Sequence, residues 1–251
     1  MTDSHRYILG MRVDATSYAD AIRKIIEWAR QGESRYVCVA NVHMVMEAHA
    51  DAEFRKVVNG ADLVTPDGMP LVWLLRRVGF NKQQRVYGPT LTLSLCESIE
   101  KEKIPVGFYG SSTEALEKLV SNLKDHFPGL KIDYLYSPPF RQLTETEDCR
   151  IIDDINASGA RVLFVGLGCP KQEGWMADHR GHIHAVTVGV GAAFDFHAGK
   201  VKQAPSWLQN IGMEWLFRLL MEPRRLWKRY LVTNSKFIWL LTRSRFLGNR
   251  R

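Results

Sequence analysis

Three segments of this chain place glycines at the end of an apolar run and follow them with polar side chains. They are Gly107-Phe108-Tyr109-Gly110-Ser111-Ser112, Gly166-Leu167-Gly168-Cys169-Pro170-Lys171-Gln172-Glu173 and Gly189-Val190-Gly191-Ala192-Ala193-Phe194-Asp195. In an open α/β sheet, ligands bind outside the carboxyl ends of the strands, where such residues fall. The backbone N–H groups of Gly110 and Ser111, aided by the dipole of a following helix, suit a diphosphate. The same turn also serves as an ordinary helix cap, and the series Gly107, Gly110 lacks the last glycine of a dinucleotide fingerprint. Lys171, Gln172 and Glu173 fall in a first helical turn opened by Pro170. There Gln172 could donate to a phosphate or read a uracil edge, and Glu173 could accept from a ribose or sugar hydroxyl. The alternative for Glu173 is to complement the helix dipole. Gly191 permits close approach of a ligand, and Asp195 suits a ribose hydroxyl or a loop contact.

A fourth segment, Thr65-Pro66-Asp67-Gly68, leaves one carboxylate after a short strand. Pro-Asp-Gly is ordinary turn chemistry. It is also where a general base for deprotonating an acceptor hydroxyl would sit. The histidines form no HExxH and no triad with serine and an acid; His182-x-His184 reads as loop or strand edge rather than a metal site. No DxD pair marks a divalent-metal clamp, and forked guanidinium groups can neutralise phosphates in its place.

These side chains require a scaffold of alternating strands and helices. Strands are expected at Tyr36–Ala40, Asp62–Thr65, Pro105–Tyr109, Lys131–Tyr136, Val162–Val165 and Ala185–Val190. Helices are expected at Val42–Val58 with Asn41 as N-cap, at Met69–Val78, Leu91–Glu102 and Glu145–Ala157, and from Thr113. Strand–helix alternation of this kind gives an α/β fold, a mostly parallel sheet with helices on both faces. The alternation stops near Gly199–Pro205, dividing the chain into a core, 1–200, and a helical appendage, 201–251. Arg224–Arg245 is expected to form an amphipathic helix, imperfect at Asn234.

At 251 residues, 45% hydrophobic and 24% charged, the chain has the composition of a globular protein. No apolar run approaches the ~18 residues of a membrane span, and the N-terminus lacks the apolar region of a signal peptide. Cys38, Cys96, Cys149 and Cys169 are widely spaced without CxxC, which fits a reducing cytosol. The net charge of +7 is uneven: residues 200–251 carry twelve Lys or Arg against Glu214 and Glu222, and also four of the seven tryptophans. Basic charge with interfacial aromatics points to an anionic membrane surface or a polyphosphate ligand. A solvated basic helix with a tryptophan-rich seam is the plainer alternative.

Taken together, Asn41-Val42-His43, Asp62–Gly68, Val86-Tyr87-Gly88, Gly107–Gly110, Gly166–Glu173, Gly189–Gly199 and Glu214–Arg225 resemble the WecG/TagA/CpsF family of bacterial glycosyltransferases, over residues 8 to 230. The ordered set GLGCPKQE, GVGAAFDFHAG and EWLFRLLMEPRR is highly specific. The resemblance implies a Rossmann-like domain with a C-terminal appendage that docks on the membrane. It implies inverting, metal-independent transfer from a UDP-sugar to a polyprenyl-diphosphate-linked sugar at the cytoplasmic membrane face. Neither a cofactor nor nucleic acid is implied, and homo-oligomers are permitted. Glucose transfer in exopolysaccharide synthesis and transfer of an N-acetylmannosamine-type sugar both occur in the family. Position by position, Asp67 matches the candidate base, Asn41 the asparagine near the acceptor sugar and Gln172 a donor contact. Arg218 and Arg225 match appendage arginines over the diphosphate, and Lys228 a further basic position. Val39 stands where many members have threonine, so a hydroxyl beside the acceptor is missing. Two rival readings are a polyanion- or nucleic-acid-binding module with a basic tail, and a dinucleotide oxidoreductase; the first leaves the glycine-bounded strand ends unexplained.

Overall fold

The computed structural model describes residues 4–248. Its strands are β1 (His5–Ile8), β2 (Met11–Asp14), β3 (Arg35–Ala40), β4 (Leu63–Pro66), β5 (Val106–Gly110), β6 (Ile132–Tyr136), β7 (Val162–Gly166) and β8 (Val186–Gly189). The last six form one sheet in the order β4-β3-β8-β7-β5-β6, with every pairing parallel. Their near-continuous apolar sequences have the physical reason expected of a parallel sheet: both faces are buried. Along β3, Tyr36, Cys38 and Ala40 enter the core on one side, and Val37 and Val39 the core on the other. Parallel pairing brings all six carboxyl ends to one edge, and this convergence builds the site.

The expected strands and helices recur with boundary shifts. The helix expected over Val42–Val58 is two, Val42–Ala50 and Ala52–Asn59. Asp51 has extended backbone between them, and its side chain accepts from the N–H groups of Glu53 and Phe54, capping the second. The helix expected from Leu91 begins at Gly88. Two N-terminal elements join the expected set. A hairpin, β1–β2, turns at Leu9 and Gly10, both at positive φ. Helix Tyr18–Gln31 is capped by Ser17 at its start and by Gly32 at φ 66° at its end.

Beyond Gly199 the chain is helical: Ser206–Asn210, Glu214–Met221, Pro223–Trp227, a π-helical turn at Lys228–Thr233, and Asn234–Gly248. The amphipathic helix expected over Arg224–Arg245 is therefore interrupted by wider turns. Leu226 and Phe237 are buried and anchor this segment, which lies against Val42–Ala50. Among the described residues, no helix is long and apolar enough to cross a membrane.

Candidate active site

The carboxyl edge of the sheet and the C-terminal helices enclose a cavity of about 1200 Å³. Asn41, Asp67, Ser111, Gly166 and Val190 reach its wall from the ends of β3, β4, β5, β7 and β8. Gln172, Gly191, Asp195 and Arg218 line it as well. One cavity thus gathers most of the residues singled out from sequence.

Asp67 follows β4 directly and is largely buried. Its Oδ1 accepts from Arg85 Nη2 at 2.8 Å and Nε at 3.0 Å, and its Oδ2 lies 3.4 Å from the Gly88 N–H. The Asp67 carbonyl also accepts from Arg85 Nε. Burial pushes the Asp67 carboxyl above its usual range; the Arg85 guanidinium opposes this and the Glu214 charge adds to it. Arg85 Nη2 also donates to Glu214 Oε2 at 2.6 Å, and the Tyr87 hydroxyl donates to Glu214 Oε1 at 3.1 Å. Burial alone would lower the Arg85 pKa, but Asp67 and Glu214 together hold it above the ordinary value. Burial, then the Glu214 and Asp67 charges, raise the Tyr87 phenol, which stays a donor.

Arg85, Tyr87 and Glu214 were not among the residues singled out for chemistry. The signal available was a lone arginine two residues ahead of Tyr-Gly-Pro, but its acidic partner Glu214 lies 129 positions away. Glu214 and Arg218 are one helical turn apart, and both face the cavity. Arg218 lies over the Phe196 ring at 5.3 Å, and its buried Nε has no hydrogen-bond partner among the described residues. A buried donor of that kind suits an anionic ligand.

Asn41 caps Val42–Ala50, its Oδ1 accepting from Met44 N–H at 3.3 Å, while it lines the cavity beside Val39. Ser111 sits at φ 60° and lines the cavity, whereas Ser112 is the N-cap of Thr113–His126 and accepts from Ala115 N–H. The expectation of a diphosphate on the Gly110 and Ser111 N–H groups is corrected: Gly110 is off the cavity wall, and the Ser111 N–H donates to the Gly166 carbonyl at 3.1 Å. A Cβ on Gly110 would lie 2.6 Å from the Gly166 carbonyl carbon, so only glycine lets β5 and β7 end this closely.

Glu173 and Lys228 lie elsewhere than expected, and Gln172 keeps its place on the wall. Glu173, expected to meet a sugar hydroxyl, is 0% exposed and lies off the cavity wall. It accepts from Gln172 Nε2 at 2.7 Å, and burial raises its carboxyl, with that hydrogen bond opposing. Gln172 reaches the cavity, but its Oε1 accepts from Gly168 N–H at 3.1 Å, so its amide is engaged in holding the Gly166–Pro170 turn. Lys228 lies over the exposed Trp227 ring at 5.6 Å rather than on the cavity wall. It is two residues from both Leu226 and Tyr230, which line the cavity, and helical phase turns it outward. The Arg225 side chain lies outside the described residues.

Ile211, Leu231 and Ile238 line the cavity and are also exposed, and Trp207, Leu220 and Trp239 of the same C-terminal helices are exposed as well. Lys228 and Arg243 lie over Trp227 and Trp239.

The Glycosyl transferase WecG/TagA/CpsF family matches residues 6–251 of this chain. An N-acetylglucosaminyldiphosphoundecaprenol N-acetyl-beta-D-mannosaminyltransferase of Bacillus spizizenii strain W23 is 33% identical over 203 residues, 80% of this chain and 76% of that protein. A protein of the same description from Bacillus subtilis strain 168 is 29% identical over 218 residues, 86% of this chain and 82% of that protein.

Proposed function

The chain belongs to the WecG/TagA/CpsF family of glycosyl transferases, and from that premise we propose that it moves an N-acetylmannosamine-type sugar from UDP to an N-acetylglucosaminyl-diphosphate-polyprenol. The observation that carries the reading is Asp67: a buried carboxylate at a strand's carboxyl end, held on one oxygen by Arg85, in a cavity that also receives Arg218. The donor and acceptor classes follow from the two Bacillus relatives.

The reaction is a single displacement with inversion. Asp67 Oδ2 takes the proton from the acceptor hydroxyl. The acceptor oxygen bonds to the anomeric carbon on the face opposite the diphosphate. The bond from that carbon to the diphosphate oxygen breaks, and its electron pair leaves with UDP. Arg218 meets the charge that grows on the leaving diphosphate, a task for a preorganised cation in place of a divalent ion. Arg225 is assigned the same task by its place in the family motif. A carboxyl raised toward the working pH is a better base than an ordinary one, and burial of Asp67 supplies that.

Exposed aromatics carrying cations on the C-terminal helices support a peripheral position on the cytoplasmic membrane face, where a lipid-linked acceptor would reside. Val39, with no hydroxyl to offer, lines the cavity beside Asn41 and tunes which acceptor fits.

The test is UDP release with product mass, for purified protein supplied with UDP-N-acetylmannosamine, UDP-glucose and other UDP-sugars, and with short-chain polyprenyl-diphosphate sugars. Acceptor-dependent release from UDP-N-acetylmannosamine is the expected result. Release only from UDP-glucose would move the enzyme to the exopolysaccharide branch, and absence of UDP binding would overturn the reading.

A further inference from the structure

The Arg85 guanidinium is shared by two buried carboxylates that come from opposite ends of the chain. Nη2 donates to Asp67 Oδ1 at 2.8 Å and to Glu214 Oε2 at 2.6 Å. The three side chains are 17%, 15% and 11% exposed for Arg85, Asp67 and Glu214, so water screens them little. Below the guanidinium, the Tyr87 ring stacks at 4.0 Å, and the Tyr87 hydroxyl donates to the second Glu214 oxygen. The Tyr87 backbone N–H is held in turn by the Tyr18 hydroxyl at 2.8 Å.

We propose that Glu214, carried by the C-terminal appendage, is a positioning residue that acts on Asp67 through Arg85, so that the base is set only while the appendage sits on the sheet edge. This rests on the assignment of Asp67 as base. The geometry gives Glu214 two tasks. First, it pins one arm of the fork. Arg85 then meets Asp67 through a single oxygen, Oδ1, and leaves Oδ2 with only the distant Gly88 N–H and the cavity in front of it. Without Glu214 the fork is free to close on both Asp67 oxygens, as isolated arginine–carboxylate pairs do. Second, it adds a negative charge, so one cation serves two anions and Asp67 keeps its affinity for a proton. The groups that face Asp67 are Arg85 and Tyr87 from the loop before Gly88–Glu102, Glu214 from the appendage, and Tyr18 from the first helix.

Glu214 also belongs to the helix that carries Arg218 into the cavity. The appendage therefore brings the leaving-group cation and the brace for the base on one helix. An enzyme whose acceptor lies in a membrane gains from this arrangement, because displacement of the appendage would disable both halves of the reaction together.

The experiment compares wild type with Glu214→Gln, Glu214→Ala, Asp67→Asn and the Asp67→Asn/Glu214→Ala double variant, in UDP release from UDP-N-acetylmannosamine with a short-chain lipid acceptor across pH. Circular dichroism and UDP binding check that each variant is folded. Glu214→Gln keeps one acceptor oxygen for Arg85, turns its amide N–H toward the Tyr87 hydroxyl, which can accept, and removes the charge; its kcat stays within about tenfold, and the acid limb of its pH profile moves to lower pH because Asp67 loses a raising charge. Glu214→Ala loses about 10²-fold in kcat with little change in donor KM, the scale of a misplaced reacting group. In the Asp67→Asn background the Ala change adds no further loss, because its effect runs through Asp67. An unmoved acid limb in Glu214→Gln, or an equal loss from Glu214→Ala with and without Asp67, overturns the proposal. Near-normal turnover by Asp67→Asn alone is a separate failure: it removes the base, and the brace with it.

Discussion

Asp67 and Glu173 are both acids near the carboxyl end of a parallel strand, Asp67 in the turn after β4 and Glu173 in the first turn of helix Lys171–Asp178 after β7, and the fold treats them in opposite ways. Asp67 follows β4 and opens into the cavity; Glu173 follows β7 and is sealed inside the core. Each carboxyl is raised by burial. Asp67 is paired with a cation and a second acid across 129 positions from Arg85 to Glu214, while Glu173 is held by residues close to it in the chain, Gln172 and Cys169. The contrast teaches that a perturbed carboxyl at a strand end does not by itself mark chemistry. Access to the cavity and a charged partner from a distant element set the proposed base, Asp67, apart from the buried Glu173.

Replacing the acid by its amide at each place tests the contrast directly. Asp67→Asn is expected to lower kcat by about 10²–10⁴-fold, the usual contribution of a general base, with folding retained. Steady-state UDP release measures it, and near-normal turnover would erase the distinction. Arg218→Ala sharpens the open side. It removes a preorganised cation from the leaving group, so kcat should fall by about 10²–10³-fold with fold and acceptor binding intact. A change confined to KM would make Arg218 a binding residue.

The closed side is tested through stability. Gly110→Ala forces a side chain into φ 119° and against the Gly166 backbone. A loss of about 1–3 kcal/mol is expected in chemical denaturation. The smallest effect on turnover belongs to Glu173→Gln, which should leave kcat close to wild type. Its signature is in pH. A carboxyl whose folded pKa is raised contributes stability that is full below its unfolded value and is lost as pH rises through the folded value. The melting temperature of wild type should therefore fall relative to Glu173→Gln over that rise. Parallel pH–stability curves would show that Glu173 is not strained by burial.

Much of the scaffold was legible because its signals are local. The β-branched runs of β3, β7 and β8, the cap at Asn41 and the glycines closing the strands all act over a few residues, and the structure keeps them within small boundary shifts. Hairpin β1–β2 and helix Tyr18–Gln31 were harder. The hairpin strands are four residues each, too short for a clear alternation, although Ser17 with Asp20 and the terminal Gly32 mark the helix. The break at Asp51 was hidden by apolar spacing that runs through it, since two short helices and one long one share a period.

The site divides along the same line. From the sequence alone follow the α/β scaffold, the strand-end position of Asp67, and a basic, tryptophan-rich C-terminal segment, because propensity and charge belong to neighbouring residues. Tertiary structure alone decided that Glu173 faces the core, that Lys228 turns outward and that Arg85 joins Asp67 to Glu214. Which way a side chain faces, and which distant charge it meets, depends on how the sheet edge and the appendage close on each other, and no local pattern carries that information.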